Sequence, residues 1–125
     1  MVRYLVMEVL EAAVNLALSH EPEAQERLQD HVGRVLRIKT TAPDWMVFVA
    51  VCEDGVQLFL EYEDTVDSRI TLPASLLTQH VLGSSADNVL EAEGVRVSGD
   101  LEFLNDMLHI ALEFSIWSLA KRVLN

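Results

Sequence analysis

The sequence has little cysteine, little positive charge and no long apolar run. A single cysteine, Cys52, excludes an intramolecular disulfide framework. No apolar run approaches the roughly 20 residues that a membrane-spanning helix needs. The segment up to Ser19 is interrupted by Glu8 and Glu11 and lacks the small-residue cleavage site of a signal peptide. These absences predict a cytoplasmic protein.

Positive charge is scarce, with nine Lys and Arg residues against twenty Asp and Glu and a formal net charge of −11. Such a field repels phosphate backbones, so we expect no nucleic-acid partner, and it disfavours docking to an anionic membrane. Arg34, Arg37 and Lys39 are the local exception, on one predicted strand. They form either a solvated strand face or a contact for an acidic partner or headgroup.

Residue patterns for metal or catalytic chemistry are missing as well. The four histidines show no i, i+4 pairing and the lone cysteine gives no CxxC, which argues against zinc. The acidic residues between 61 and 67 lack the ligand spacing of an EF-hand loop. No phosphate-binding glycine motif occurs, and Cys52 has no evident activating base. We therefore expect no catalytic residues, no metal and no cofactor, and a protein that is not an enzyme.

Apolar residues, in contrast, are abundant. Half of the 125 residues are hydrophobic and the mean hydropathy is +0.22. This length fits one domain, residues 1–125, that buries about two thirds of the surface of the unfolded chain. The apolar content is high for so small a domain. It predicts more buried or partner-facing surface than a minimal core requires.

The first part of the chain has a helical period. Tyr4 to Ser19 is predicted to be an amphipathic helix with a polar side at Glu8, Glu11 and Asn15. Its predicted buried stripe consists of Leu5, Val9, Ala12, Ala13 and Leu16. Pro22, preceded and followed by glutamates, predicts the start of a second helix, which ends near Gly33.

From Val35 the period changes to two. Val35 to Thr40 alternates in polarity, and Trp45 to Cys52 is apolar on both faces, which is typical of a central or doubly covered strand. The sequence from Glu53 to Gly55 predicts a hairpin leading into a third strand that reaches Tyr62. These three strands form an antiparallel meander.

Two shorter strands follow, Ser68 to Leu72 and Gly94 to Ser98, with Val95 and Val97 facing inward. Between them we expect a helix that starts at residues 72–75 and ends near Gly83, and then a polar loop over 84–88. A last helix runs from Leu101 to about Val123, and Asp100 is its predicted N-cap.

The last helix carries two apolar lines. One consists of Leu101, Leu108, Leu112 and Leu119, and the other of Phe103, Met107, Ile110 and Phe114. A helix lying on a sheet needs one such line. The second must either pack in a small core or meet a ligand, another helix or another protein.

Four segments together resemble a known family. They are Leu10 to Asn15, Gly33 to Ile38, Asp67 to Leu77 and Val95 to Asp100. In this order they resemble the sterol-carrier-protein lipid-binding domain, and more closely the N-terminal domain of UbiJ-type ubiquinone-biosynthesis accessory factors. Proteins of that type usually continue into a long C-terminal coiled coil, whereas this sequence stops at Asn125. It is either truncated or a short relative, and a coiled-coil partner is not inferred.

The resemblance implies an α+β fold with a five-stranded mixed sheet, the three-strand meander within it, and helices covering one face. It also implies a hydrophobic cavity for a lipid, here a prenylated quinone precursor, and an accessory role beside the enzymes of ubiquinone biosynthesis. Large or flexible apolar side chains suit such a cavity. The candidates are Phe48, Leu58, Phe59, Leu60, Tyr62, Phe103, Leu104, Met107, Leu108, Ala111, Phe114 and Trp117.

For each candidate, ordinary core packing is the alternative to lipid contact. Tyr62 or His109 would contact a quinone-like head. The competing function is an interaction module, whose surplus apolar helix face docks to a pathway enzyme or forms a homodimer.

Overall fold

A computed structural model describes residues 2–76 and 90–113, and the side chains of residues 7–16, 18–76 and 90–110 within that range. Most of the helix predicted to end near Gly83, the predicted loop over 84–88 and the last helix beyond Glu113 lie outside the described residues. Residues 74–76 are helical, as predicted for the start of the helix that ends near Gly83.

Five strands form one mixed sheet in the order β3-β2-β1-β4-β5, which confirms the predicted fold class. Consecutive strands β1, β2 and β3 pair antiparallel, so the predicted meander is present. β4 then pairs parallel with β1, and β5 pairs antiparallel with β4. The strand bounds are β1 Val35–Thr41, β2 Trp45–Cys52, β3 Gly55–Phe59, β4 Ser68–Pro73 and β5 Arg96–Gly99.

Within the described residues, three helices of eight or more residues pack on one face of this sheet: α1 Val2–Ser19, α2 Pro22–Gln29 and α3 Leu101–Glu113. Each contributes to a single core with the inward side chains of the strands: Leu18 from α1, Leu28 from α2 and Phe103 from α3 are all nearly inaccessible. Burying large apolar side chains is the main stabilising term of such a core, at about 25 cal/mol per Å².

The other sheet face is covered in part by the connection between β3 and β4. β3 ends at Phe59, not at Tyr62 as predicted, because the chain leaves the edge strand there to reach β4 beyond β1. On the way, Tyr62 and Val66 pack against Val35 and Phe48. We call residues 60–67 the strap. It runs toward the Val35 end of β1, since the carboxylate of Asp67 accepts a hydrogen bond of 2.8 Å from the Val35 amide.

The buried face of α1 differs from the predicted stripe. Val9 is 63% exposed and Leu16 is 55% exposed, so both predictions were wrong. Met7 and Leu18 are buried, and Val14 packs against the core. The asparagine and glutamate predicted to mark the polar side turn toward the sheet, because β3 is an edge strand whose backbone needs partners.

α1 supplies those partners. The side-chain amide of Asn15 accepts a hydrogen bond from the Val56 amide and donates one to the Val56 carbonyl, both at 2.9 Å. One helical turn earlier, the Glu11 carboxylate accepts a hydrogen bond of 2.7 Å from the Leu58 amide. The helix thus completes part of the hydrogen bonding of the sheet edge and fixes its own distance from β3.

The start of α3 is held by a polar network. Asp100 is the N-cap, as predicted: its Oδ1 accepts a hydrogen bond of 3.1 Å from the Phe103 amide. Its Oδ2 lies 3.1 Å from Arg34, and Arg34 also lies 2.9 Å from Nδ1 of His31. The other ring nitrogen of buried His31 lies 2.7 Å from Asp106. Arg34 therefore belongs to this network, not to the basic strand face predicted for it.

At the opposite sheet edge, β5 is more exposed than predicted. Val95 packs against the core, and Val97 lies on the core-facing side of the sheet as predicted, but Val97 is 38% exposed. Val97 pairs with Ile70 and shares its face, so its exposure follows from the edge position of β5.

Replacing Asn15 with alanine tests the edge contact. Two hydrogen bonds to the half-buried edge of β3 would be lost, and we expect the free energy of unfolding to fall by about 2 kcal/mol in urea titration. Gln29→Ala is the matched control, since its exposed amide donates one bond of 2.8 Å to the Glu53 carbonyl. A loss for Asn15→Ala no larger than for the control would contradict the assignment.

Candidate functional site

An apolar cavity of about 230 Å³ lies between the sheet and the three helices. Every described residue that lines it is hydrophobic, and this lining comes from α1, α2 and α3 and from β1, β2 and β3. The lining residues are Leu10, Val14, Leu18, Leu28, Leu36, Ile38, Trp45, Val47, Val49, Val56, Leu58, Met107, Leu108 and Ile110.

The strand part of the lining follows directly from pleating. Side chains two residues apart share a face, and the register then aligns Ile38 with Val47 and Val49 with Leu58. The branched side chains of three neighbouring strands therefore form a continuous apolar floor. α1 lies over one edge of this floor because Asn15 and Glu11 hold it to β3.

Both apolar lines of α3 are used at this site. Met107 and Ile110 come from one line and Leu108 from the other, and all three line the cavity. Leu101, by contrast, is 57% exposed. Leu104, which belongs to neither predicted line, is buried in the core. The wide apolar perimeter of α3 thus serves the core and the cavity together.

The chemistry of the cavity favours hydrocarbon. The side chains described around it include no charged group, so a polar ligand would lose its hydration there without replacement. A dry apolar cavity of about 150 Å³ accepts a benzene molecule. The cavity in this protein is larger, so it has room for a segment of an alkyl or prenyl chain but not for a whole long tail. Trp45 marks an opening, because it lines the cavity and is also 42% exposed.

Three of the predicted lipid-binding residues line this cavity: Leu58, Met107 and Leu108. Phe103 and Leu104 lie on the same side of the sheet but are buried in solid core. Ala111, Phe114 and Trp117 are predictions whose side chains lie outside the described residues.

The other predicted residues lie elsewhere. Phe48 and Phe59 are paired neighbours on the strap side of the sheet. The ring of Tyr62 lies 5.8 Å from that of Phe48 and 6.2 Å from that of Phe59, so Tyr62 cannot contact a head group in the cavity. Phe59 and Leu60 line a separate groove, and His109 is not among the cavity residues.

That separate groove lies between α1 and β3 and has a volume of about 460 Å³. Its lining includes the carboxylates of Glu8, Glu11 and Glu61 together with Met7 and Leu60. Leu58 and Phe59 line it as well, so three acidic groups lie among four apolar side chains, and these carboxylates make it less suited to a hydrocarbon tail than the apolar cavity.

Sequence reasoning missed eleven of the cavity residues because it favoured aromatic side chains. The signal was available in the inward alternation of β1 and β2 and in the i, i+4 series Leu10, Val14 and Leu18 of α1. Of the two faces of each strand, only the face covered by the helices lines the cavity, and that face carries mainly branched aliphatic residues.

Neither metal binding nor thiol chemistry finds support among the described residues. No group of three or more metal-ligating side chains occurs within 2–76 and 90–113. Burial raises the pKa of the Cys52 thiol, and the negative charges of Glu11 and Asp54 raise it further. The thiol is therefore protonated at neutral pH, which argues against a nucleophilic role. In the same part of the chain, no helix is long and apolar enough to cross a bilayer.

Fold and cavity together define a small α+β domain that binds hydrophobic ligands. Residues 14–111 match the family model described as "SCP-2 sterol transfer family". The chain belongs to this family. A comparison of sequences with curated proteins finds no match.

Solved structures show the same fold. The structure named "UbiJ-SCP2 Ubiquinone synthesis protein" superimposes with a TM-score of 0.71 at 20% sequence identity, over 96% of this chain and 99% of that one. Sterol carrier protein 2 from Yarrowia lipolytica in its apo form gives 0.61 at 12% identity, over 88% of this chain and 89% of that one. Sterol carrier protein domain 2 of Helicoverpa armigera gives 0.59 at 14%, over 87% of each chain.

Proposed function

We propose that this protein is a non-enzymatic accessory factor of ubiquinone biosynthesis that shelters or presents prenylated quinone precursors. The prenyl tail would enter the cavity between the sheet and the helices, and the polar ring would remain near the opening at Trp45. Its partners would be the isoprenoid lipid and the enzymes or accessory factors of the pathway, in the cytoplasm.

The wholly apolar cavity is the observation that carries this proposal. A tail exposes apolar surface in water, and sheltering even part of it contributes about 25 cal/mol per Å². The ubiquinone assignment draws its support from the UbiJ-SCP2 structure, which superimposes over nearly the whole of both chains. Catalysis is not part of the proposal, because the cavity residues within 2–76 and 90–113 include no acid, base or nucleophile.

Lipid recovered with the protein tests the proposal. We expect native mass spectrometry of protein purified from cells that make ubiquinone to show a bound species, and extraction to identify it as a prenylated quinone precursor. Protein from cells that cannot make the prenyl tail is the control and should lack that species. If only phospholipid or fatty acid were recovered from both cell types, lipid binding would still hold, but the ubiquinone role would be contradicted.

An interaction module is the second candidate, and the exposed side of α1 favours it. Val9 and Leu16, seven residues apart, lie on one helix face and are each more than half exposed. If a homodimer forms through this face, the double variant Val9→Glu/Leu16→Glu should be monomeric, as measured by light scattering. A monomeric native protein over the whole concentration range would exclude it.

A further inference from the structure

Four basic side chains gather on the strap side of the sheet, at the end that the strap leaves open. They are Arg37 and Lys39 of β1, Arg69 of β4 and Arg96 of β5. Register places Arg37 directly beside Arg69, and Thr71 lies between Lys39 and Arg96. Four of the nine Lys and Arg residues thus share one surface of a chain with a formal net charge of −11.

No ion pair neutralises these four cations within the described part of the chain. The two ion pairs found there join His31 to Asp106 and Arg34 to Asp100. Arg37 even has a buried Nε–H without a hydrogen-bond acceptor among the described residues. Four neighbouring like charges repel one another unless an anion lies against them. This surface is therefore suited to an anionic partner.

Apolar side chains accompany the cations. Met46 is opposite Lys39 in the register and is 38% exposed, and Phe59 on the outer strand is 37% exposed. Trp45, the residue at the opening of the cavity, is the next residue along β2 and lies on the other face of the same sheet end. The basic patch and the cavity opening therefore lie at the same end of the domain.

We propose that this patch, consisting of Arg37, Lys39, Arg69, Arg96, Met46 and Phe59, docks the protein onto the surface of an anionic phospholipid bilayer. The cations would bind headgroup phosphates, while the methionine and the phenylalanine enter the interface. Docking in this orientation brings the cavity opening to the membrane, where a lipid can enter or leave. The inference rests on the proposed lipid-binding function.

The net negative charge of the protein does not prevent this orientation. Charges beyond about 8 Å are largely screened at physiological ionic strength, so the membrane responds mainly to the residues against it. α2, which carries Glu23 and Glu26, covers the opposite face of the sheet and would point away from the bilayer. Glu8, Glu11 and Glu61 line the groove at the β3 edge beside Phe59, and the strap, which carries Glu63, Asp64 and Asp67, runs on the patch side toward the Val35 end of β1. Repulsion between these acidic residues and the bilayer would favour the orientation in which the Lys39 and Arg96 end of the patch meets the headgroups.

Sedimentation with vesicles tests the docking. We expect binding to vesicles of equal parts phosphatidylglycerol and phosphatidylcholine, weaker binding at high salt, and little binding to phosphatidylcholine alone. The variant Lys39→Gln/Arg69→Gln/Arg96→Gln should bind about a hundredfold more weakly, at about fivefold for each cation removed. As a control, Arg27→Gln removes an exposed cation from α2, away from the patch, and should bind like the native protein.

Three results would overturn the docking inference: no vesicle binding, equal binding to the two vesicle types, or a triple variant that binds as well as the native protein. Uptake of a soluble fluorescent fatty acid separates this failure from failure of the proposed function. The triple variant should take up the fatty acid normally. Normal uptake without vesicle docking would leave lipid binding intact, whereas a native protein that takes up no lipid would contradict the function itself.

Discussion

Replacing Ile38 with tryptophan should reduce lipid binding about tenfold while the domain stays folded. Ile38 lies at the middle of the cavity floor on the central strand β1, and an indole there would occupy space that a hydrocarbon chain uses. Excluding about 60 Å² of ligand surface removes about 1.5 kcal/mol of binding free energy. Titration with a fluorescent fatty acid measures the change.

Gln57→Trp is the matched control for this substitution. Gln57 is exposed and points from β3 to the opposite side of the sheet, so the same indole is added without entering the cavity. Circular dichroism should show native-like spectra for both variants, because the void accommodates the larger side chain of the first. Unchanged lipid affinity in a folded Ile38→Trp variant would show that the lipid binds elsewhere.

The largest loss of stability is expected for Gly99→Ala. Gly99 has a φ of +92°, which costs an L-residue about 1–2 kcal/mol, and an added Cβ would overlap the Asp67 carbonyl and lie 2.9 Å from Cα of Ser68. These are backbone atoms at the end of the strap and the start of β4, and they cannot rotate away. Strain and overlap together should lower the free energy of unfolding by about 3–4 kcal/mol, and thermal unfolding would show it.

Gly33→Ala separates the two contributions, because Gly33 also has a φ of +92° but its Cβ would meet nothing within 4 Å. We expect it to cost only the backbone term, about 1 kcal/mol. Equal losses in the two variants would mean that β4 moves to make room for the methyl group. In that case, the close approach of Gly99 to Asp67 and Ser68 would not be what fixes the positions of β5 and the start of α3.

Much of the fold could be predicted because its signals are local. The alternation in β1, the hairpin at Gly55 and the N-cap at Asp100 each depend on neighbouring residues, and all are confirmed. The buried face of α1 could not be predicted in this way. Asn15 and Glu11 look like solvent-facing residues until the unpaired edge of β3 lies beside them, and that edge exists only in the assembled sheet.

The same reasoning explains the partial prediction of the site. Met107 and Leu108 were identified because a helix with apolar residues on two sides needs more than one neighbour. Phe48 and Tyr62 lie on the other face of the sheet, because their position depends on the path of the strap across it. The patch at Lys39 and Arg96 joins strands far apart in the sequence, so only the strand order reveals it.

Photochemical cross-linking of a bound lipid tests the central claim most directly. A prenyl or alkyl chain with a terminal diazirine would be bound, activated by light and located by peptide mass spectrometry. Cross-links to the cavity wall, at residues such as Ile38, Leu58 and Met107, are the predicted result. Cross-links confined to the opposite face, around Phe48 and Phe59, would contradict the assignment of the cavity as the lipid-binding site.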